Sequence, residues 1–482
     1  VERLASEGLV FDNANVVASI CTPSRYSFLT GRYASRSQGP SFLAEFPSGV
    51  MSRVENNVEL EPPSTASNLA SSLQKTGYRT GFVGKSHIIR HDLLKSVSNW
   101  SSEGLDTYPE NANPHDDTVS KKLAHNHAVW CKWMKNYGFD FVDGFYSGNV
   151  AELSLKAAYN HNLEWTVGKA INFLEGNRTS GKPFFLYFAS TLPHGPLPFI
   201  KRKGNKFLNG LDADARVTPE GIVSDAPPPF MPSRAEIRAA SSKAGLAPER
   251  EYIAWMDASI GAIMKKLEDI GMRENTILIL ASDHGSWRHG KSTLYEGGIR
   301  IPFVVSWPAQ VRGGARTSAL ISSVDLVPTL LTLAGAGKEA TEGLDGRSFL
   351  NVLKSPTAPH RDNMFSELGW ARSVKTTKWK YIAIRYPEDV REKIRKGAKF
   401  PGGKELGPQK YPFYLANSGL GSKAAQSNSN YYQPDQLYDL ENDPTESRNL
   451  FEKRPEIAKE MQGLLSAYLK GLPGRPFGEF TR

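Results

Sequence analysis

Cysteine is nearly absent from this chain: 482 residues hold only Cys21 and Cys131. If Cys21 is spent on other chemistry no intrachain disulfide can form, and the fold must rest on packing. Long apolar runs are missing as well, and without a stretch of about 18 such residues no segment reads as a membrane-spanning helix. No nucleic-acid motif occurs, nor any stripe of interleaved aromatic and basic residues. Acidic residues fall short of basic ones, 50 against 59, which leaves a net charge of +9. That excess suits anionic partners, sulfated glycans and nucleic acid among them, without choosing between them. What remains is ordinary for a globular chain, 39% hydrophobic and 23% charged. At about 100 to 200 residues per domain, the length allows two or three domains.

Residues 21–32 read Cys-Thr-Pro-Ser-Arg-Tyr-Ser-Phe-Leu-Thr-Gly-Arg. A lone cysteine is most often a small buried hydrophobe. Here Pro23, Arg25 and the closing Leu-Thr-Gly-Arg resemble the signature of type I sulfatases, in the alkaline phosphatase superfamily. The resemblance implies that Cys21 is a precursor, oxidised by a formylglycine-generating enzyme to Cα-formylglycine, whose hydrate attacks the sulfur of a sulfate ester. An ordinary Ser or Cys nucleophile would leave a stable sulfo-enzyme that water must break in a second difficult displacement. A gem-diol avoids this. One hydroxyl takes the sulfo group, and deprotonating the other expels sulfate by C–O cleavage and restores the aldehyde. Arg25, charged at any working pH, would hold the hydrate or the sulfate by forked hydrogen bonds.

Further motifs follow in the order of that family. An amphipathic helix over 64–75 leads to a short strand over 79–83, and Gly84-Lys85-Ser86-His87 at its end is similar to the family's Gly-Lys-Trp-His, with Ser86 in place of Trp. Strand ends in open α/β sheets are where ligands bind. The resemblance puts Lys85 on sulfate oxygen and makes His87 the acceptor of the second hydroxyl's proton; the alternative is a solvated lysine and a core histidine. The apolar run 183–189 suits a buried parallel strand. Pro193-His194-Gly195-Pro196 after it resembles Pro-His-x-Pro and implies His194 as general acid for the leaving alcohol, although alone it reads as a turn between prolines. A helix over 250–271 and a strand over 276–281 lead to Ser282-Asp283-His284-Gly285, then Lys291, then Tyr295-Glu296-Gly297-Gly298-Ile299-Arg300-Ile301-Pro302. These resemble the family's Asp-His-Gly segment, its lysine and its tail. They imply Ca2+ held by Asp283, His284 and the modified Cys21, with Lys291 on the sulfate opposite Lys85. Carboxylate oxygen suits calcium, whereas imidazole is a poor partner for it. His289 has no role in that pattern.

Elsewhere periodicity places helices over 121–137, 157–175 and 454–472, and strands over 302–307 and 379–384. His125 and His127, two apart, face different ways and so do not pair on a metal. Trp100, Phe139, Phe141, Phe145 and Tyr146 line either a sugar subsite or the core. The basic runs 201–206 and 391–404 either are solvated or rim a groove for an anionic polymer. A composition shift at 356–360 marks a boundary between a catalytic domain, 1–355, and a C-terminal subdomain, 356–482. The fold implied is the α/β, alkaline-phosphatase-like sandwich with a central mixed, mostly parallel sheet, plus a smaller C-terminal domain of antiparallel sheet and helix. Residues 1–8 resemble the helix that follows the family's first strand, whose Asp-Asp pair supplies two calcium ligands; that strand is expected to lie outside the sequence. The resemblance further implies a secreted or periplasmic sulfuric ester hydrolase, and the basic charge favours a sulfated carbohydrate substrate over a small aryl sulfate. Two alternatives stay open, a phosphoester or phosphonate hydrolase of the same fold and a catalytically silent glycan-binding homologue.

Overall fold

The apolar run Phe-Phe-Leu-Tyr-Phe-Ala becomes the strand Phe184–Ala189, as continuous hydrophobicity suits a strand covered on both faces. In the computed structural model, which describes residues 1–195, 210–223, 230–247, 250–286, 290–388, 391–392, 428–431 and 433–478, this strand runs parallel to Arg79–Lys85. On its other side Arg79–Lys85 pairs, again in parallel, with Phe141–Tyr146. This sheet belongs to the first of two compact units, Val1–Arg3 with Pro62–Thr276. The helices Leu69–Lys75, Asp117–Lys135 and Leu163–Arg178 pack on it.

Three helix starts differ from the sequence expectation by four residues or more, and capping explains each; the helix expected over 121–137 forms as Asp117–Lys135, with the Asp116 side chain accepting from the Thr118 N–H at 2.9 Å. The helix expected from residue 64 starts at Leu69, because the Asn68 side chain accepts from the Ser71 N–H at 3.1 Å and satisfies an orphan donor there. The helix expected over 157–175 starts at Leu163, where Asn162 accepts from the Trp165 N–H at 3.1 Å. It also runs on through Gly176 and Asn177, whose side chain donates to the Lys182 carbonyl at 3.0 Å. On Asp117–Lys135 the two histidines do face different ways: His125 meets Asp106 at the surface, while buried His127 accepts from the Phe145 N–H at 3.2 Å. Trp100, Phe139, Phe145 and Tyr146 are buried, so these aromatics are core, and half-buried Phe141 packs against Phe173 with the rings tilted at 50°.

The second unit, Leu4–Glu61 with Ile277–Arg482, holds a sheet in the order Ala315–Thr317, Leu9–Phe11, Phe303–Ser306, Leu278–Ala281. Its first pairing is parallel and the other two are antiparallel. Leu9, Phe11, Ile299, Phe303, Val305 and Phe349 form its core. Counted over the sheets that carry the sequence motifs, parallel pairings outnumber antiparallel ones by three to two, a mixed α/β arrangement as expected. Met364–Leu368, Ala371–Lys375, Trp379–Ile384 and Asp435–Asp439 make a fully antiparallel sheet. The apolar face of helix Pro455–Lys470, through Ala458, Met461 and Leu465, packs on Val374, Tyr381 and Leu437 of that sheet. No helix among the described residues is long and apolar enough to cross a membrane. The basic run 201–206, and 391–404 beyond residue 392, lie outside the described residues.

Candidate active site

Cys21 opens the helix Cys21–Thr30, every residue of which is buried. Pro23 sits in its first turn, where a backbone N–H would have no intrahelical partner. Gly31 ends the helix at φ 66° and donates to the Ser27 carbonyl; a Cβ there would fall 2.9 Å from Cβ of Val327. The glycine of Leu-Thr-Gly-Arg is therefore a left-handed cap in a tight contact. Residues four apart stack on one helix face, so Cys21 and Arg25 point the same way. Arg25 Nε donates to Asp283 Oδ2 at 3.1 Å, and Cys21 Sγ lies 3.6 Å from His284 Nε2. Asp283 and His284 follow the strand Leu278–Ala281. Gly285 donates to the Gly298 carbonyl at 2.7 Å, and a Cβ on Gly285 would fall 2.0 Å from the Gly297 oxygen, so only glycine allows the tail to fold against the Asp-His pair. Lys291 is buried. Its neighbour Ser292 donates to the Ser19 carbonyl at 3.1 Å, and the Ser19 hydroxyl donates to the Thr293 carbonyl at 2.5 Å. These bonds tie the Lys291 segment to the residues just before Cys21.

Cys21, Asp283 and His284 place one ligand atom each within 4.8 Å of the others, a grouping able to hold a metal ion. The fit to calcium is partial. Asp283 offers hard carboxylate oxygen, but thiol sulfur and imidazole nitrogen are soft, and calcium takes roughly six to eight oxygens. Oxidation of Cys21 to formylglycine would exchange its sulfur for oxygen and improve the set.

The first unit carries the other sequence motifs. Gly84 sits at φ 102°, and a Cβ there would fall 2.1 Å from the Ala189 oxygen. Pairing with the strand Phe141–Tyr146 shifts register between Val83 and Gly84. After this irregularity Lys85 is buried, not solvated, and its Nζ donates to Asn149 Oδ1 at 2.7 Å. Ser86 and His87 continue the ladder, donating to the Tyr146 and Ser147 carbonyls at 2.8 Å each. His87 adopts φ 59° and brings Nε2 to 3.7 Å from Glu152 Oε1. His194, half-buried beyond the strand Phe184–Ala189, has its Nδ1 3.0 Å from the Gly195 carbonyl. Its backbone N–H donates to Thr191, whose hydroxyl lies 2.9 Å from the buried His161. Pro196 and His289 lie outside the described residues.

Sequence reasoning misses Asn149 and Glu152. Their signal is a capping pattern, Asn-x-x-Glu, shortly after a strand, and it forms here as a capping box. It also misses a second grouping of metal-ligating type, His127, Asp143 and Glu220. There Lys169 Nζ already supplies a cation, 3.1 Å from Asp143 and 2.7 Å from Glu220, while burial holds the His127 pKa below its ordinary value. Cys131 lies beside it, and burial pushes its thiol well up, so it stays protonated and inert.

Comparison with known proteins bears on these residues. A family profile described as Sulfatase matches residues 1–336, and one described as N-sulphoglucosamine sulphohydrolase, C-terminal, matches residues 283–392. The N-acetylgalactosamine-6-O-sulfatase of Bacteroides thetaiotaomicron is 25% identical, over 97% of this chain and 87% of its own length. The N-acetylgalactosamine-6-sulfatase of Rattus norvegicus is 24% identical over 73% of this chain, and the match spans 60% of that protein. A solved structure in complex with its substrate, D-glucosamine-2-N,6-O-disulfate, aligns with a TM-score of 0.55 at 19% identity, covering 98% of this chain and 92% of that one.

Proposed function

The chain belongs to the sulfatase family, and from that premise we propose that it hydrolyses sulfate esters of a sulfated carbohydrate through a formylglycine made from Cys21. The observation that carries this reading is the helix Cys21–Thr30, which sets Cys21 and Arg25 against His284 and Asp283. A formylglycine-generating enzyme would carry out the maturation. One hydroxyl of the hydrated residue 21 releases its proton to solvent and, as the oxyanion, forms the new S–O bond while the ester S–O bond breaks, and His194 protonates the departing alkoxide. His87 then takes the proton of the second hydroxyl. The C–O bond to sulfate breaks, the aldehyde returns, and water rehydrates it. Arg25, Lys85 and Lys291 oppose the charge on the sulfate oxygens throughout.

Asp283, His284 and the modified residue 21 are this chain's contributions to a calcium ion, which would supply positive charge to the site. The excess of basic over acidic residues, 59 to 50, would draw in an anionic glycan. The assignment is accompanied by a catalytic domain at 1–355 with a C-terminal subdomain at 356–482, and by a secreted or periplasmic location. A phosphoester or phosphonate hydrolase would use similar groups, but the Cys-x-Pro-Ser-Arg sequence favours sulfatase maturation. The test is the mass of the tryptic peptide 4–25 after expression with a formylglycine-generating enzyme. A loss of about 18 Da, the change from thiol to aldehyde at a nucleophile of this type, is expected, together with faster turnover of sulfate than of phosphate esters. Unmodified cysteine would remove residue 21 as nucleophile and leave the glycan-binding alternative.

A further inference from the structure

A neutral acceptor holds Lys85. Its Nζ donates to Asn149 Oδ1 at 2.7 Å, and the lysine is 2% exposed. The other end of the same amide is clamped by a carboxylate: Asn149 Nδ2 donates to Glu152 Oε1 at 3.1 Å, and the Asn149 backbone N–H donates to Glu152 Oε2. Gly148 folds tightly over that carboxylate, for a Cβ on it would fall 1.7 Å from Glu152 Oε2. Glu152 Oε1 also lies 3.7 Å from His87 Nε2. One capping box therefore reaches both Lys85 and His87.

Resting on the sulfatase reading, we propose that Asn149 and Glu152 are positioning residues: Asn149 aims the Lys85 ammonium at the sulfate without neutralising it, and Glu152 locks Asn149 in place. A buried ammonium needs an acceptor, because leaving it without one is costly. A carboxylate at position 149 would meet that need but would also pair with the ammonium and cancel the charge that an anionic substrate has to find there. The amide oxygen accepts from the ammonium without bringing a negative charge to it. The negative charge of Glu152 stays on the far side of the amide, bound to Nδ2. Asparagine at 149 is thus a choice of charge as much as of shape.

The test uses Asn149→Asp, nearly isosteric, beside Asn149→Ala, Glu152→Gln and Glu152→Ala in the full matured chain. Turnover of a sulfate ester, inhibition by inorganic sulfate and melting temperature are measured for each. Asn149→Asp is expected to lower kcat/KM and to weaken inhibition by sulfate, each on the order of 10- to 100-fold, with the melting temperature unchanged or raised. Glu152→Gln, which keeps the oxygen that Asn149 Nδ2 needs, should retain more activity than Glu152→Ala. Wild-type sulfate inhibition and kcat/KM in Asn149→Asp would overturn the proposal. A second measurement is independent of turnover: the rate at which acetic anhydride acylates Lys85, read by peptide mass. A carboxylate at 149 stabilises the ammonium and should slow acylation by about 3- to 10-fold. If acylation slows but sulfate neither inhibits nor protects Lys85 in the wild type, the contact stands and the sulfatase reading falls. If sulfate protects Lys85 and both acylation and inhibition ignore position 149, the positioning role falls.

Discussion

Burial keeps the Cys131 thiol protonated, whereas Cys21 begins a helix with Arg25 one turn on and His284 at 3.6 Å. The two cysteines should therefore separate cleanly under substitution. Cys21→Ala is expected to reduce sulfate-ester turnover to background, and Cys131→Ala to keep it, while each costs about 1 to 2 kcal/mol through the cavity left behind, because both side chains are buried. Urea melts beside initial rates on matured protein check both; loss of turnover in Cys131→Ala would show that cysteine to be part of the chemistry. Residues of the first kind were legible in the sequence because the reaction dictates residue type and local spacing, as in Cys21 with Arg25 or Asp283 with His284. Asn149 and Glu152 were not. Asn149 reaches Lys85 across 64 positions and Glu152 approaches His87, and a single amide at a loop start carries no periodic signal.

Elements were read best where hydrophobic pattern alone decides them. The strand expected over 379–384 forms as Trp379–Ile384, and the apolar run 183–189 forms as Phe184–Ala189. Helix starts were read less well, because a side-chain cap such as Asn162 wins over a helical pattern that begins earlier. The end of the strand Arg79–Lys85 depends on neither pattern nor cap but on Gly84. Its φ of 102° and the 2.1 Å that would separate a Cβ from the Ala189 oxygen both demand glycine. Gly84→Ala is expected to cost about 3 kcal/mol or more, from left-handed strain plus a backbone collision. Because Lys85 follows directly, the same change should weaken sulfate inhibition even where the protein still folds. Thermal melts and inhibition constants measured on one sample check this, and a variant with wild-type values for both would mean that the strand end tolerates a side chain.

Across the whole molecule, the tail 295–302 after Lys291 builds an ion network through Glu296, beyond its place beside the site. Glu296 accepts from Lys375 at 2.8 Å and pairs with Lys380 at 2.7 Å; Lys380 also reaches Glu446 at 2.8 Å, and Lys375 reaches Asn13 and Asn15 at 3.0 Å each. Segments from the two ends of the sequence thus meet inside one unit, a meeting that no local pattern announces. Burial pushes the Glu296 carboxyl up, but the charges of Lys380 and Lys375 and their hydrogen bonds outweigh it and hold the pKa down to about 2, from 4.5. A carboxyl whose folded pKa lies below its unfolded one adds stability above the unfolded value and loses it as pH falls toward the folded value. Glu296→Gln strips the network of that charge and leaves two buried ammonium groups short of a partner, at a cost of about 3 to 5 kcal/mol at neutral pH. Glu446 shares Lys380 with Glu296, and its pKa, raised chiefly by burial, is raised further by the Glu296 charge; removing that charge lets Glu446 ionise more readily, which trims that cost without changing its sign. The gap between wild type and Glu296→Gln should therefore be widest near neutrality and should close as pH falls from 4.5 toward 2, read from urea melts at stepped pH. A gap that stays constant over that range would mean that Glu296 carries no charge in the folded protein, and that its contacts with Lys375 and Lys380 hold the unit together as neutral hydrogen bonds.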